Sequence, residues 1–101
     1  MPLTDAMRYP INLIFRLHAI KRMFERKVDA DDVRHILATG KVIEDYPTDT
    51  PYPSCLVLGW RGARPLHIVV AYNTMDDETI IITAYEPDSK QWNKNFKRKR
   101  S

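Results

Sequence analysis

The stretch Asp29-Ala30-Asp31-Asp32-Val33-Arg34-His35-Ile36-Leu37-Ala38-Thr39-Gly40-Lys41-Val42-Ile43-Glu44-Asp45-Tyr46 changes its period once, at Gly40. Before that glycine, Val33, Ile36 and Leu37 recur at the spacing of one helix face. Asp29 is an N-cap residue, since its side-chain oxygen is able to accept from the free N–H groups of a first turn. Asp31 and Asp32 suit the positive end of the helix dipole, and Val28 with Val33 has the spacing of a hydrophobic staple. Gly40 ends the helix. Beyond it, Val42 to Tyr46 reads as a strand.

Upstream, a first helix is expected over about Leu17 to Lys27, with Leu17, Ile20, Met23 and Phe24 forming its apolar stripe. His18, Arg22, Glu25 and Arg26 form the opposite stripe, and side chains four apart on a helix are neighbours. Residues 11–15 (INLIF) read as a short extended entry. Downstream, the loop PTDTPYP (47–53) is too rich in proline for a ladder. Ser54 to Trp60, Leu66 to Tyr72 and Thr79 to Tyr85 are strands, parted by turns at Arg61-Gly62 and Asn73 to Glu78. Pro87 ends the last strand, and a short helical turn is expected over Lys90 to Phe96. The order ααββββ predicts an α+β domain over 1–101, with two N-terminal helices on one face of a four-stranded antiparallel sheet. Residues 94–101 read as a basic flexible tail.

The chain has 101 residues, 44% hydrophobic and 29% charged, which suits a globular domain with a modest core. No apolar run reaches the roughly 20 residues of a membrane span. The N-terminus, MPLTDAMRYP, lacks a signal pattern, so a cytoplasmic setting is expected. The single Cys55 lies in the apolar run CLVLGW and reads as core packing, with a nucleophilic role as the minor alternative. Net charge is +3, with carboxylates gathered at 29–32 and 76–78 and cations at 16–27 and 94–100. That distribution favours a polyanionic partner.

His67 is a lone imidazole in the apolar run Leu66-His67-Ile68-Val69-Val70-Ala71-Tyr72. Alternation puts His67, Val69 and Ala71 on one face, and divides Thr79, Ile81, Thr83 and Tyr85 from Ile80, Ile82 and Ala84. A loop of about six residues then brings His67 beside Thr83 to Tyr85, subject to register. RNA transesterification needs a base on the 2′-hydroxyl, a cation on the phosphate and an acid for the leaving oxygen. His18 and His67 supply an acid–base pair near neutrality, Arg22 a phosphate clamp, and Lys21, Arg26, Thr83 and Tyr85 supporting donors. The competing reading makes His67 a buried imidazole bonded to a backbone carbonyl, and His18 with Arg22 a helix surface paired with Glu25 or Asp45. His35 reads as a surface residue, and Tyr85 and Trp92 as core caps with polar tips. Trp60 is a base-stacking candidate or an ordinary hairpin-end aromatic. Scattered histidines and one cysteine argue against zinc, and three glycines leave no phosphate cradle, so neither metal nor cofactor is expected.

HAIKRMFERKV (18–28), ATGKVIEDYP (38–47), PSCLVLG (53–59), RPLHIVVAY (64–72) and IITAYEPDSKQW (81–92) occur in that order. Together they resemble the bacterial domain-of-unknown-function family 4258, over about Phe15 to Phe96. In that resemblance His18, Arg22, Arg26 and His67 are the polar marks, and Thr83, Tyr85, Pro87 and Asp88 close the pattern. Such domains are similar to small toxin nucleases of the RelE and colicin type. The resemblance therefore implies a RelE-like, microbial-ribonuclease-like fold, an RNA target and a cognate antitoxin-like protein. The function expected is a metal-independent endoribonuclease of toxin type. The alternative is a non-catalytic module that binds nucleic acid or an acidic protein through its basic helix and tail.

Overall fold

The computed structural model describes residues 13–99. The expectations for MPLTDAMRYP, for Ile11 and Asn12, and for Arg100 and Ser101 lie outside these residues. The elements are β1 (Leu13–Phe15), α1 (Leu17–Arg26), α2 (Ala30–Thr39), β2 (Lys41–Tyr46), β3 (Ser54–Arg61), β4 (Arg64–Asn73) and β5 (Glu78–Tyr85). Asp29 caps α2 as expected: its carboxylate accepts from the backbone N–H of Asp32 at 2.7 Å, and the Asp32 carboxylate accepts from that of Asp29 at 3.0 Å. The reciprocal pair satisfies two donors that the first turn leaves without partners.

The fold is α+β, but the sheet has five strands and is mixed, in the order β1-β5-β4-β3-β2. This corrects the expected four-stranded antiparallel sheet. Strands β2 to β5 form antiparallel neighbours, and the entry segment adds β1, which pairs parallel to β5 with Leu13 opposite Thr79 and Phe15 opposite Ile81. A parallel partner comes from the far end of the chain, so no local turn announces it.

Both helices lie on one face, α1 over β5 and α2 over β3. Their shared core includes Ala19, Met23, Val33, Ile36, Leu37, Cys55, Val57, Leu66, Ile68, Val70, Ile81 and Ala84. Ile36 sits so close to the sheet that a Cβ on Gly59 would lie 2.7 Å from its Cδ1. Gly40 is likewise required for space, because a Cβ there would meet the Ile36 and Leu58 carbonyl oxygens at 2.6 Å. The apolar stripe of α1 is turned to the core only in part. Only Ala19 and Met23 are buried, while Leu17, Ile20 and Phe24 are exposed. The helix is turned so that its small residue Ala19 meets the sheet and Arg22 is half-buried.

The other face of the sheet carries Leu56, Leu58 and His67, all buried, because the chain after β5 returns across it. A turn at Asp88 leads to Trp92, whose bridge to Lys99 holds the returning segment. The Phe96 ring packs edge-on against Trp60, with centroids 6.0 Å apart. In place of the expected helical turn over Lys90 to Phe96 there is one turn at Asp88 to Trp92, then a reversal with Phe96 at positive φ. No helix among the described residues is long and apolar enough to cross a membrane.

Candidate functional site

His67 stands on β4 between Leu58 of β3 and Tyr85 of β5, so register brings it to the tyrosine as alternation suggested. A register shift at Val69/Val70 leaves Ile82 bulged and resets the alternation of β5. Ile81 and Ala84 therefore share the helix side, whereas Thr83, opposite Val69, and Tyr85 stay on the face of His67.

The His67 ring is 0% exposed. Trp92 covers it edge-on at a centroid separation of 4.3 Å. Its Nε2 lies 2.9 Å from the Phe96 carbonyl oxygen, and its Nδ1 lies 3.2 Å from the Tyr85 hydroxyl. A carbonyl only accepts, so Nε2 carries the proton and Nδ1 accepts from the Tyr85 O–H. Burial holds the imidazole pKa below the ordinary 6.5, against the opposing pull of the Phe96 carbonyl and the Glu44 carboxylate. The ring is neutral at physiological pH.

Tyr85 is the part of this chain of bonds that reaches open space. It lines a cleft of about 800 Å³ bordered by Arg22, Arg26, Arg64, Trp92 and Lys99. Burial raises the phenol pKa, as does Glu44, while the positive charge of Arg22 works in the opposite direction. The Nε of Arg22 is buried and has no hydrogen-bond partner among the described residues.

Arg64 has a different task. Its Nε donates to Glu86 at 2.7 Å, Nη1 to the Lys27 carbonyl at 3.0 Å, and Nη2 to the Arg26 carbonyl. It thus closes the C-terminal end of α1 and neutralises Glu86, complementing the helix dipole. Positive charge in the cleft is left to Arg22, Arg26 and Lys99.

The structure brings together Arg22, Arg26 and Tyr85 around the cleft, with His67 bonded beneath Tyr85. His18 is exposed and lines a separate groove of about 370 Å³ with Arg16, Asp49 and Tyr52. The two imidazoles do not border one cleft. Lys21 is exposed on α1, and Thr83 is half-buried on the sheet. Sequence reasoning missed Arg64, Lys99 and the carbonyl of Phe96. Arg64 follows a hairpin turn and carried no signal of helix capping, and no sequence pattern marks which backbone carbonyl will meet a histidine. Cys55 is fully buried and its thiol is pushed up to about 12, by burial first and then by Asp45, which argues against the nucleophile alternative. Among the described residues no three His, Cys, Asp or Glu side chains gather as a ligand set.

A family model described as a domain of unknown function, DUF4258, matches residues 15–86. No curated protein and no solved structure matches the chain.

Proposed function

We propose, from the premise that the chain belongs to the DUF4258 family, that its basic cleft binds the RNA backbone and cleaves it without a metal. The observation that carries this reading is the relay of Tyr85 onto a buried, neutral His67, opening beside Arg22. The resemblance to RelE- and colicin-type toxin nucleases agrees with it, and with a cytoplasmic toxin held by an antitoxin-like protein.

In this mechanism Arg22 clamps the scissile phosphate, and Arg26 and Lys99 hold its neighbours. The 2′-hydroxyl gives its proton to the Tyr85 oxygen while the Tyr85 proton moves to Nδ1 of His67. The 2′ oxygen then bonds to phosphorus, and the bond from phosphorus to the 5′ oxygen breaks. Water protonates the departing 5′ oxygen; the hydroxide so formed takes the Tyr85 proton, and the tyrosine oxygen recovers its own from Nδ1 of His67. The products are a 2′,3′-cyclic phosphate and a free 5′-hydroxyl. Tyr85 is the catalytic residue, and His67 positions and activates it. His18 and Lys21 steer RNA approaching along α1, and Thr83 supports the sheet face beside Tyr85.

A labelled single-stranded RNA incubated in EDTA tests this. Wild-type protein is expected to yield cyclic phosphate ends, and Tyr85→Phe to lose about 10²-fold or more, the usual share of proton transfer. Cleavage undiminished in Tyr85→Phe would sink the mechanism.

The second reading, a non-catalytic binding module, is favoured by the complete burial of His67 with both nitrogens engaged. It expects salt-sensitive RNA retention, with each neutralised phosphate releasing counterions, and no product.

A further inference from the structure

The exposed stripe of α1 belongs to neither groove described above. Leu17, Ile20 and Phe24 are 82%, 51% and 87% exposed. At 3.6 residues per turn they fall within an arc of about 60° of the helix surface. They lead into an apolar groove of about 320 Å³ lined by Phe15, Met23, Val28 and Ala30. Three large apolar side chains aligned on one exposed helix are unlike the scattered single ones of an ordinary surface. Arg16, Lys21 and Lys27 are exposed around the stripe, and Glu25 is the one acidic side chain between Phe15 and Val28. Among the described residues neither ion pair involves these cations.

We infer that this face is the docking site of a partner protein's acidic amphipathic helix. Such a helix lays apolar residues spaced i, i+3/i+4, i+7 along Leu17, Ile20 and Phe24, and its carboxylates meet Arg16, Lys21 and Lys27. The positive rim selects the sign of the partner and opposes a second copy of the same helix, which would bring cation to cation. The inference is independent of the Tyr85 cleft, and it shares only Lys21 with the proposed path of RNA.

The probe is a fluorescein-labelled synthetic helix with leucines at those spacings and glutamates elsewhere, beside a lysine version with the same leucines. Both are titrated into the full chain and into Leu17→Ser/Phe24→Ser, whose melting temperature is measured in parallel. The expected result is saturable binding of the acidic helix, at least tenfold weaker for the lysine helix and for the double variant, and weakened by salt. Amide shifts on binding should concentrate in residues 15–30. Equal affinity for both helices, affinity unchanged in the double variant, or no binding would overturn the inference. So would a concentration-dependent dimer that Leu17→Ser/Phe24→Ser abolishes, which gives the face to a second copy. Binding seen only after deletion of residues 2–12 would also overturn it, by giving the face to the chain's own N-terminal segment.

Discussion

The imidazole of His67 has no direct route to solvent, and that makes its energetics unusually legible. Replacement by leucine keeps much of the volume but leaves the Phe96 carbonyl without its partner, while the Tyr85 hydroxyl can turn to water in the cleft. An unsatisfied buried group costs about 1–3 kcal/mol, so His67→Leu is expected to lower stability by about that much in urea unfolding. The pH dependence has a definite sign. The folded ring has a pKa below 6.5, and in the unfolded chain it protonates more readily, so the unfolded state binds more protons as pH falls. Stability is therefore full above about 6.5 and declines as pH drops toward the lowered folded value. Urea midpoints at about pH 7.5 and about pH 5 should diverge in the wild type and converge in His67→Leu, once carboxylate effects common to both are subtracted. For the proposed cleavage, which needs the neutral ring, the acid limb should likewise lie below the ordinary histidine value. A limb above about pH 7 would contradict the relay.

Among the elements, α2 and α1 respond differently to substitution. In α2, Asp29→Ala removes an N-cap and should cost about 1 kcal/mol, while Ile36→Ala opens a void against Gly59 and should cost about 2–5 kcal/mol. In α1, Leu17→Ser and Phe24→Ser touch exposed positions and should shift stability by no more than about 0.5 kcal/mol, whereas Met23→Ala should cost several times that. Thermal unfolding of the five variants checks the ordering. This contrast also marks where the sequence was readable. Asp29 and Gly40 bound α2 by local chemistry, so its ends and buried face were legible from the residues alone. For α1 the periodicity gave a helix, yet the largest apolar side chains were not the buried ones, because the close approach to β5 selects Ala19 over bulk. In β5 the bulge at Ile82 moved Ile81 to the helix side, which strict alternation has no means of foreseeing. Tyr85 and His67 met as expected because they lie beyond the bulge on the same pairing. The association of His18 with them failed to form, since α1 carries it toward a different groove.

At the level of the whole molecule, the sheet is covered twice, by helices on one side and by the returning C-terminal segment on the other. Trp92, 3% exposed, is the principal weight of that second cover. Trp92→Ala should cost about 3–5 kcal/mol and also expose His67, raising its pKa toward the ordinary value. Histidine resonances followed by NMR titration would report the change; an unmoved His67 would show that the sheet alone keeps it dry. The cover and the parallel strand are the parts of the architecture that no local signal announced, because both depend on segments distant in sequence.

Loop-closure entropy predicts an order of assembly from the parallel pairing of β1 with β5. Ile14 waits for Ile80, with every other element of the sheet lying between them. The hairpins of β3, β4 and β5 close small loops and gain their ladders early, whereas β1 must close nearly the length of the domain. Of the five strands among the described residues, the one synthesised first is thus expected to dock last. Until it docks, the outer edge of β5 remains open as a template for any other extended chain.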